Sequence, residues 1–225
     1  MKSAHKATKM SLIKPIFIGD KKEIENVAGS IKWNISSYEI IDERDNNKTA
    51  LHGAKIASEN KVQILIKGNI HTDILMRAML KKDLNLIDSR RLSHLWHMTI
   101  KSTDKPLFIT DGALNVAPRI GVKMEILRNV VDFASKVGIK KPKVAVLSGT
   151  EDPIESLPSS MEAKKITELA RNENIPATVY GPLAFDNSVS KKSSGIKGIK
   201  NSVAGQADVI LVPNVEAGNA LVKIM

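Results

Sequence analysis

The stretch PKVAVLSGTEDPIESLPSSMEAKKITELA, from Pro142 to Ala170, decides the fold class. Val144–Leu147 is a continuous apolar run of strand length. Unbroken apolarity, rather than alternation, is what a strand shows when helices cover both of its faces. Ser159 and Glu162 follow at capping-box spacing, which predicts a helix start there. Ile166, Leu169 and Ala170 then fall on one side of that helix. A buried strand feeding an amphipathic helix is half of a strand–helix–strand unit.

The same alternation extends outward. Leu107–Thr110 reads as a strand, and the helix after Pro118 repeats Val122, Ile126, Val130, Ala134 and Val137, with Gly138 at the C-cap. Val209–Val212 is another buried strand, and Val215–Met225 returns to helix. Toward the N-terminus, Ile16–Gly19, Tyr38–Asp42 and Val62–Ile66 read as strands, with Gly68 ending the last. Asp20 opens one helix, Ala50–Asn60 is a second, and Thr72 is placed to cap a third. Strands joined by helices predict an α/β fold with a mostly parallel sheet, helices on both faces and right-handed crossovers. The charged stretch Lys81–Arg91 marks a boundary between a first domain, 1–88, and a second, 89–225.

Composition narrows the partners. The net charge is +10, but only seven of the 34 basic residues are Arg and aromatics are 4%. Nucleic-acid binders cluster basic residues and interleave aromatics, so a Lys-biased solvated surface fits better. That surface also suits a small polyanion such as a nucleotide or coenzyme A. The absence of Cys excludes disulfides, thiolate metal sites and Cys nucleophiles. No apolar run has the length of a membrane span and no hydrophobic signal core follows the basic N-terminus, so a cytoplasmic location is expected. His52, His71, His94 and His97 show no metal-ligand spacing with carboxylates, and His94 and His97 are expected on opposite faces of a strand, SHLWHM.

In such folds, ligand loops lie at the carboxyl ends of strands. Gly68, Asp111, Ser148, Gly181 and Asn214 are expected at such ends. Lys67-Gly68-Asn69-Ile70-His71-Thr72-Asp73 offers close backbone approach and a helix N-terminus to an anion, and Arg77 stands one turn after Asp73. A structural turn and an ordinary ion pair explain the same spacing. Asp111 and Asn115 could orient groups in a cleft or make Asx turns. Gly181-Pro182 predicts a rigid turn, and a lone Asp such as Asp186 after it is more often a cap than a catalyst. Gly218-Asn219 puts a Gly inside a helix, where close packing or ligand approach is the usual compensation for about 1 kcal/mol.

In their order along the chain, these stretches resemble the phosphate acetyltransferase/phosphate butyryltransferase family. The resemblance rests on KGNIHTD with Arg77, RRLSHLWHM, KPLFITDGALNVAP, KPKVAVLSGTE, GPLAFDNSVSKKSSGIKG and SVAGQADVILVPNVEAGN. It implies a two-domain parallel-sheet fold of the isocitrate/isopropylmalate dehydrogenase type, incomplete at both ends, with a cleft between the domains. It implies transfer between acyl-CoA plus phosphate and acyl phosphate plus CoA, by a homodimer, with CoA as substrate and no metal or other cofactor. By position, Arg77 would hold phosphate or a phosphate group of CoA, with Lys67, Gly68 and Thr72 lining the same cleft. Asp111, Asn115, Gly181, Asp186, Gly218 and Asn219 match positions near the family's cleft. The family's Ser-Arg pair and its basic Asp would fall past Met225, so no catalytic residue is assigned here. The alternative expectation is a truncated, inactive CoA-binding remnant, or a fragment that a second polypeptide completes.

Overall fold

The computed structural model describes residues 1–87, 89–99 and 105–225. It divides into two compact units, Met1–Ser89 and Arg90–Met225.

In the first unit, helix α1 (Lys2–Lys9) precedes strand β1 (Phe17–Gly19), helix α2 (Lys21–Ser30) and strand β2 (Ile40–Asp42). β1 and β2 pair in parallel, Phe17 opposite Ile40. Asp20 caps α2 as its position predicts, accepting from the Lys22 and Glu23 amides at 2.8 and 3.2 Å. Trp33, Ile35 and Ala28 form a small core with Phe17 and Tyr38 against it. Helix α3 (Asn46–Ser58) begins four residues before the expected Ala50, because Asp45 supplies the cap by accepting from Lys48 N–H at 2.9 Å. Helix α4 (Thr72–Met79) and a 3₁₀ turn at Lys82–Leu84 close the unit. Ala50, Ala54 and Ala78 let α3 and α4 approach closely.

Two expectations fail in this unit. Val62–Ile66 forms no strand. Leu65 turns in toward Gly53, while Ile64 and Ile66 stand 68% and 70% exposed. An apolar run becomes a strand only beside a partner, and among the described residues none pairs with this one. Gly68 therefore ends no strand. Thr72 is the first helical residue rather than the cap, and His71 takes the cap position without a side-chain bond.

The second unit is built on five strands: β3 (Leu95–Thr99), β4 (Pro106–Thr110), β5 (Lys143–Leu147), β6 (Thr178–Leu183) and β7 (Val209–Leu211). Their order is β3-β4-β7-β5-β6. β3 is antiparallel to β4, and the remaining pairings are parallel. The pleat sends alternate residues to two cores. Phe108, Val144, Val146, Val209 and Leu211 pack with helices α5 (Ile120–Lys136) and α6 (Pro158–Asn172). Leu107, Ile109, Ala145, Ile210 and Val212 pack on the other face with Val203, Leu183 and Val222. The short helix α7 (Phe185–Val189) and the longer α9 (Val215–Ile224) pack on that second side, and α8 (Lys191–Ile196) lies against α7.

Ile126, Val130 and Ala134 face the core as their spacing predicts, while Val137 is 52% exposed at the helix end. Gly138 follows the C-cap with φ +97°. Ser159 does not cap α6. That helix starts at Pro158 after Leu157, and Ser159 instead shares a 3.0 Å hydrogen bond with Ser148. Glu162 leaves the capping role as well and pairs with Lys123. Gly181 and Pro182 form no turn at a strand end but lie inside β6. There the step Tyr180 to Leu183 matches the shorter step Ala145 to Leu147 on β5, a bulge. A Cβ on Gly181 would stand 2.7 Å from the Val146 Cβ and carbonyl oxygen, so only Gly admits this strand approach. His94 stands just before β3 and packs on Trp96, whereas His97 packs on Phe108, the two faces expected of alternating residues. Among the described residues, no helix is long and apolar enough to cross a membrane.

Candidate substrate-binding site

In the first unit, the segment after Ile66 is shaped by its own lysine. Lys67 Nζ donates to the Ile70 carbonyl at 2.8 Å and reaches the Gly68 carbonyl at 3.4 Å. Gly68 and Thr72 are exposed, and a side chain on Gly68 would meet nothing within 4 Å. Arg77 Nη2 donates to Asp73 Oδ2 at 2.7 Å, one helical turn away. Both side chains are about 70% exposed, and the arginine holds the Asp73 carboxyl below its ordinary range. Ion pairs this open are screened by solvent and hold little energy, so the guanidinium can exchange to another oxyanion.

In the second unit, β4 and β7 bring Asp111, Gly112, Asn115, Asn214, Gly218 and Asn219 to one end of the sheet. Asp111 directly follows β4 and is 2% exposed. Its Oδ1 accepts from the Ala113 and Leu114 amides at 2.9 Å each, and its Oδ2 accepts from Asn115 Nδ2 at 2.6 Å. The carboxylate thus ties the loop together, the Asx turn that the residue type allows. Asn115 Nδ2 also donates to the Leu92 carbonyl, and its Oδ1 accepts from Arg91 Nε at 2.6 Å. Asn214 caps α9 by accepting from Ala217 N–H at 2.9 Å. Gly218 meets Gly112 back to back: a Cβ on Gly218 would stand 2.8 Å from the Gly112 Cα. Asn219 Nδ2 reaches the Gly112 carbonyl at 3.4 Å.

Asp186 sits on the exposed first turn of α7, and Gly181 lies within β6, where Thr167 Oγ1 donates to its carbonyl at 3.3 Å. Among the described residues, no hydrogen bond links either to the Asp111 loop. A cluster that sequence reasoning missed stands near Asp186. Lys197 Nζ pairs with Glu151 Oε2 at 2.8 Å, and the wholly buried Asn187 donates through Nδ2 to Glu151 Oε1. The Asn187 Oδ1 is buried without a hydrogen-bond partner. Only proximity across the ends of β5 and β6 assembles this cluster, so no spacing in the sequence could have found it. Burial pushes the Glu151 carboxyl upward, but Lys197 and Asn187 outweigh it and the net shift is downward. A lowered folded value contributes stability above the ordinary 4.5 and loses it as pH falls through the folded value. Glu151→Gln is therefore expected to flatten the acid limb of the stability profile. Thermal melts from pH 7 down to pH 3 check this, and an unchanged limb removes the assignment. Among the described residues, no group of three His, Cys, Asp or Glu is placed to hold a metal ion.

The sequence model described as phosphate acetyl/butaryl transferase matches residues 43–225. The chain belongs to that transferase family. It is similar to the phosphate acetyltransferase of Rhizobium meliloti, 36% identical over 98% of this chain and 70% of the relative. Against the phosphate acetyltransferase of Rickettsia felis, also 36% identical, it spans 64% of the relative's length. The phosphate butyryltransferase of Clostridium beijerinckii is 32% identical over the whole chain and 75% of its own. Among solved structures, the branched-chain phosphotransacylase of Enterococcus faecalis superposes with a TM-score of 0.81 at 28% identity. That match covers 93% of this chain and 83% of the other. The family match thus includes the Asp111 loop, the Gly112–Gly218 contact and the Arg77 helix described above.

Proposed function

We propose that this member of the phosphate acetyl/butaryl transferase family catalyses reversible acyl transfer between CoA and phosphate, taking acetyl-CoA or another short acyl-CoA. The observation that carries this reading is the family match across residues 43–225, supported by relatives named for both acetyl and butyryl transfer. It favours the transferase over a CoA-binding remnant. In the acyl-phosphate direction a phosphate oxygen attacks the thioester carbonyl, a C–O bond forms, and the C–S bond breaks to release CoA thiolate. The tetrahedral intermediate carries an oxyanion, which positioned cationic and N–H donors stabilise.

Arg77 is the phosphate ligand in this reading, with Lys67, Gly68 and Thr72 beside it. Asp111, Asn115, Gly218 and Asn219 shape the substrate loop of the second unit, and Gly181 and Asp186 contribute separately from β6 and α7. CoA is a substrate, no metal is needed, and the working form is a cytoplasmic homodimer of the isocitrate/isopropylmalate dehydrogenase type.

The test is release of CoA from acetyl-, propionyl- or butyryl-CoA on adding phosphate. The chain has no Cys, so a thiol reagent reads CoA without background from the protein. Phosphate-dependent release is expected, and folded protein showing none with any of the three would overturn the reading. Arg77→Gln removes one charge-assisted contact, a loss of about 2 kcal/mol, and should raise the KM for phosphate at least tenfold.

A further inference from the structure

We propose that Arg91 is a second oxyanion-binding residue, held ready by three side chains of the second unit. Arg91 is exposed, yet its position is fixed more fully than exposure alone would suggest. Its backbone N–H donates to Glu125 Oε2 at 2.8 Å. Its carbonyl accepts from Asn129 Nδ2 at 2.8 Å. Its Nε donates to Asn115 Oδ1 at 2.6 Å. Asn115, 6% exposed, is itself locked by the buried Asp111. The chain from Asp111 through Asn115 to Arg91 therefore aims one guanidinium from a rigid base.

The choice of clamp matters. Arg44, Arg77, Arg90 and Arg128 each pair with a carboxylate. Arg91 is held instead by a neutral amide, and the nearby Glu125 takes its backbone N–H rather than its guanidinium. Among the described residues, neither Nη of Arg91 has a hydrogen-bond partner. The full positive charge and the two-pronged Nη edge stay available, the geometry that a phosphate or carboxylate oxyanion accepts in bidentate fashion. β3 runs antiparallel to β4, with Leu95 opposite Thr110, so the segment before β3 lies beyond the carboxyl end of β4. That is the end where the Asp111 loop meets Gly218, and where parallel sheets take ligands.

The ligand chemistry is a phosphate group. Under the transferase reading, on which this choice of ligand rests, it comes either from inorganic phosphate or from the phosphates of CoA. Calorimetry of the full chain with inorganic phosphate and with CoA, separately, distinguishes the two. Arg91→Gln should weaken one of them at least tenfold, and Arg91→Lys, which keeps the charge but loses the amide clamp, should weaken it less. Both variants lose the Nε bond to Asn115 but keep the backbone bonds to Glu125 and Asn129, so both are expected to fold, and they provide independent checks if one folds poorly. Loss confined to phosphate assigns Arg91 to the acyl acceptor, and loss confined to CoA assigns it to the carrier. Parent-like binding of both ligands by Arg91→Gln, or binding of neither by the parent protein, overturns the proposal. Steady-state kinetics separates it from the transferase reading. Turnover with both KM values unchanged in Arg91→Gln removes Arg91 alone. Binding that depends on Arg91 without any phosphate-dependent CoA release removes the transferase alone.

Discussion

Replacing Glu162 by Gln is expected to destabilise the second unit by about 3 kcal/mol. Lys123 lies on α5 with only 5% of its side chain exposed, and Glu162 on α6 takes its ammonium. Among the described residues, Lys123 Nζ has no other partner. Removing the carboxylate leaves a cation inside the contact between two helices that form the first core. The cost sits at the low end of the usual range because Glu162 itself is about one-third open to solvent. The double change Lys123→Met, Glu162→Leu should recover most of the loss, since a well-packed apolar pair commonly replaces a buried ion pair without penalty. Urea unfolding of Lys123→Met, Glu162→Leu and their double completes a mutant cycle, beside the Glu162→Gln variant. A single variant within about 0.5 kcal/mol of the parent would show that the pair is solvated in practice.

Gly218→Ala is expected to lose about 2 kcal/mol, against the direction that helix propensity alone would give. In a helix, Ala is favoured over Gly by about 1 kcal/mol, so an unobstructed site gains from the change. At Gly218 the added Cβ would stand 2.8 Å from the Gly112 Cα and 2.9 Å from Val212 Cγ2. Backbone cannot rotate away, so α9 or the Asp111 loop must shift. Gly29 in α2 provides the matched control, because a Cβ there meets nothing within 4 Å. Gly29→Ala should stabilise by about 0.5–1 kcal/mol. Opposite signs in thermal melts support the account, and a Gly218→Ala protein as stable as the parent would overturn it. Because Asp111 and Asn115 share the displaced loop, Gly218→Ala should also reduce turnover more than its stability loss explains.

The strands of the second unit were legible because burial on both faces writes itself as unbroken apolar runs. Val144–Leu147 and Val209–Val212 are the cases, and the sheet forms at both. Asp20 was legible for a different reason, since a cap is a local interaction between residues two or three apart. Ser159 and Glu162 obeyed the same spacing rule and failed it. Tertiary partners, Ser148 and Lys123, compete for those side chains and win. Val62–Ile66 failed because strand formation depends on a neighbour that the run itself does not contain. Gly181-Pro182 reads locally as a turn, and only the approach of β5 makes it a bulge.

The candidate site divides in the same way. Asp73 with Arg77, and Asp111 with its following amides, are separated by a few residues, so spacing announced them. Arg91, Glu151, Asn187 and Lys197 were silent because their partners lie 24 to 46 residues away along the chain. Sequence by itself determined the α/β class, the family and the polar residues that follow the buried strands. Those follow from hydrophobic pattern and from motif order, both of which are properties of the chain. Tertiary structure alone decided which polar groups are spent on holding the loop and which are left facing outward. That choice depends on distances between segments, and the outcome is a buried Asp111 committed to the scaffold and an Arg91 whose charge remains free for a ligand.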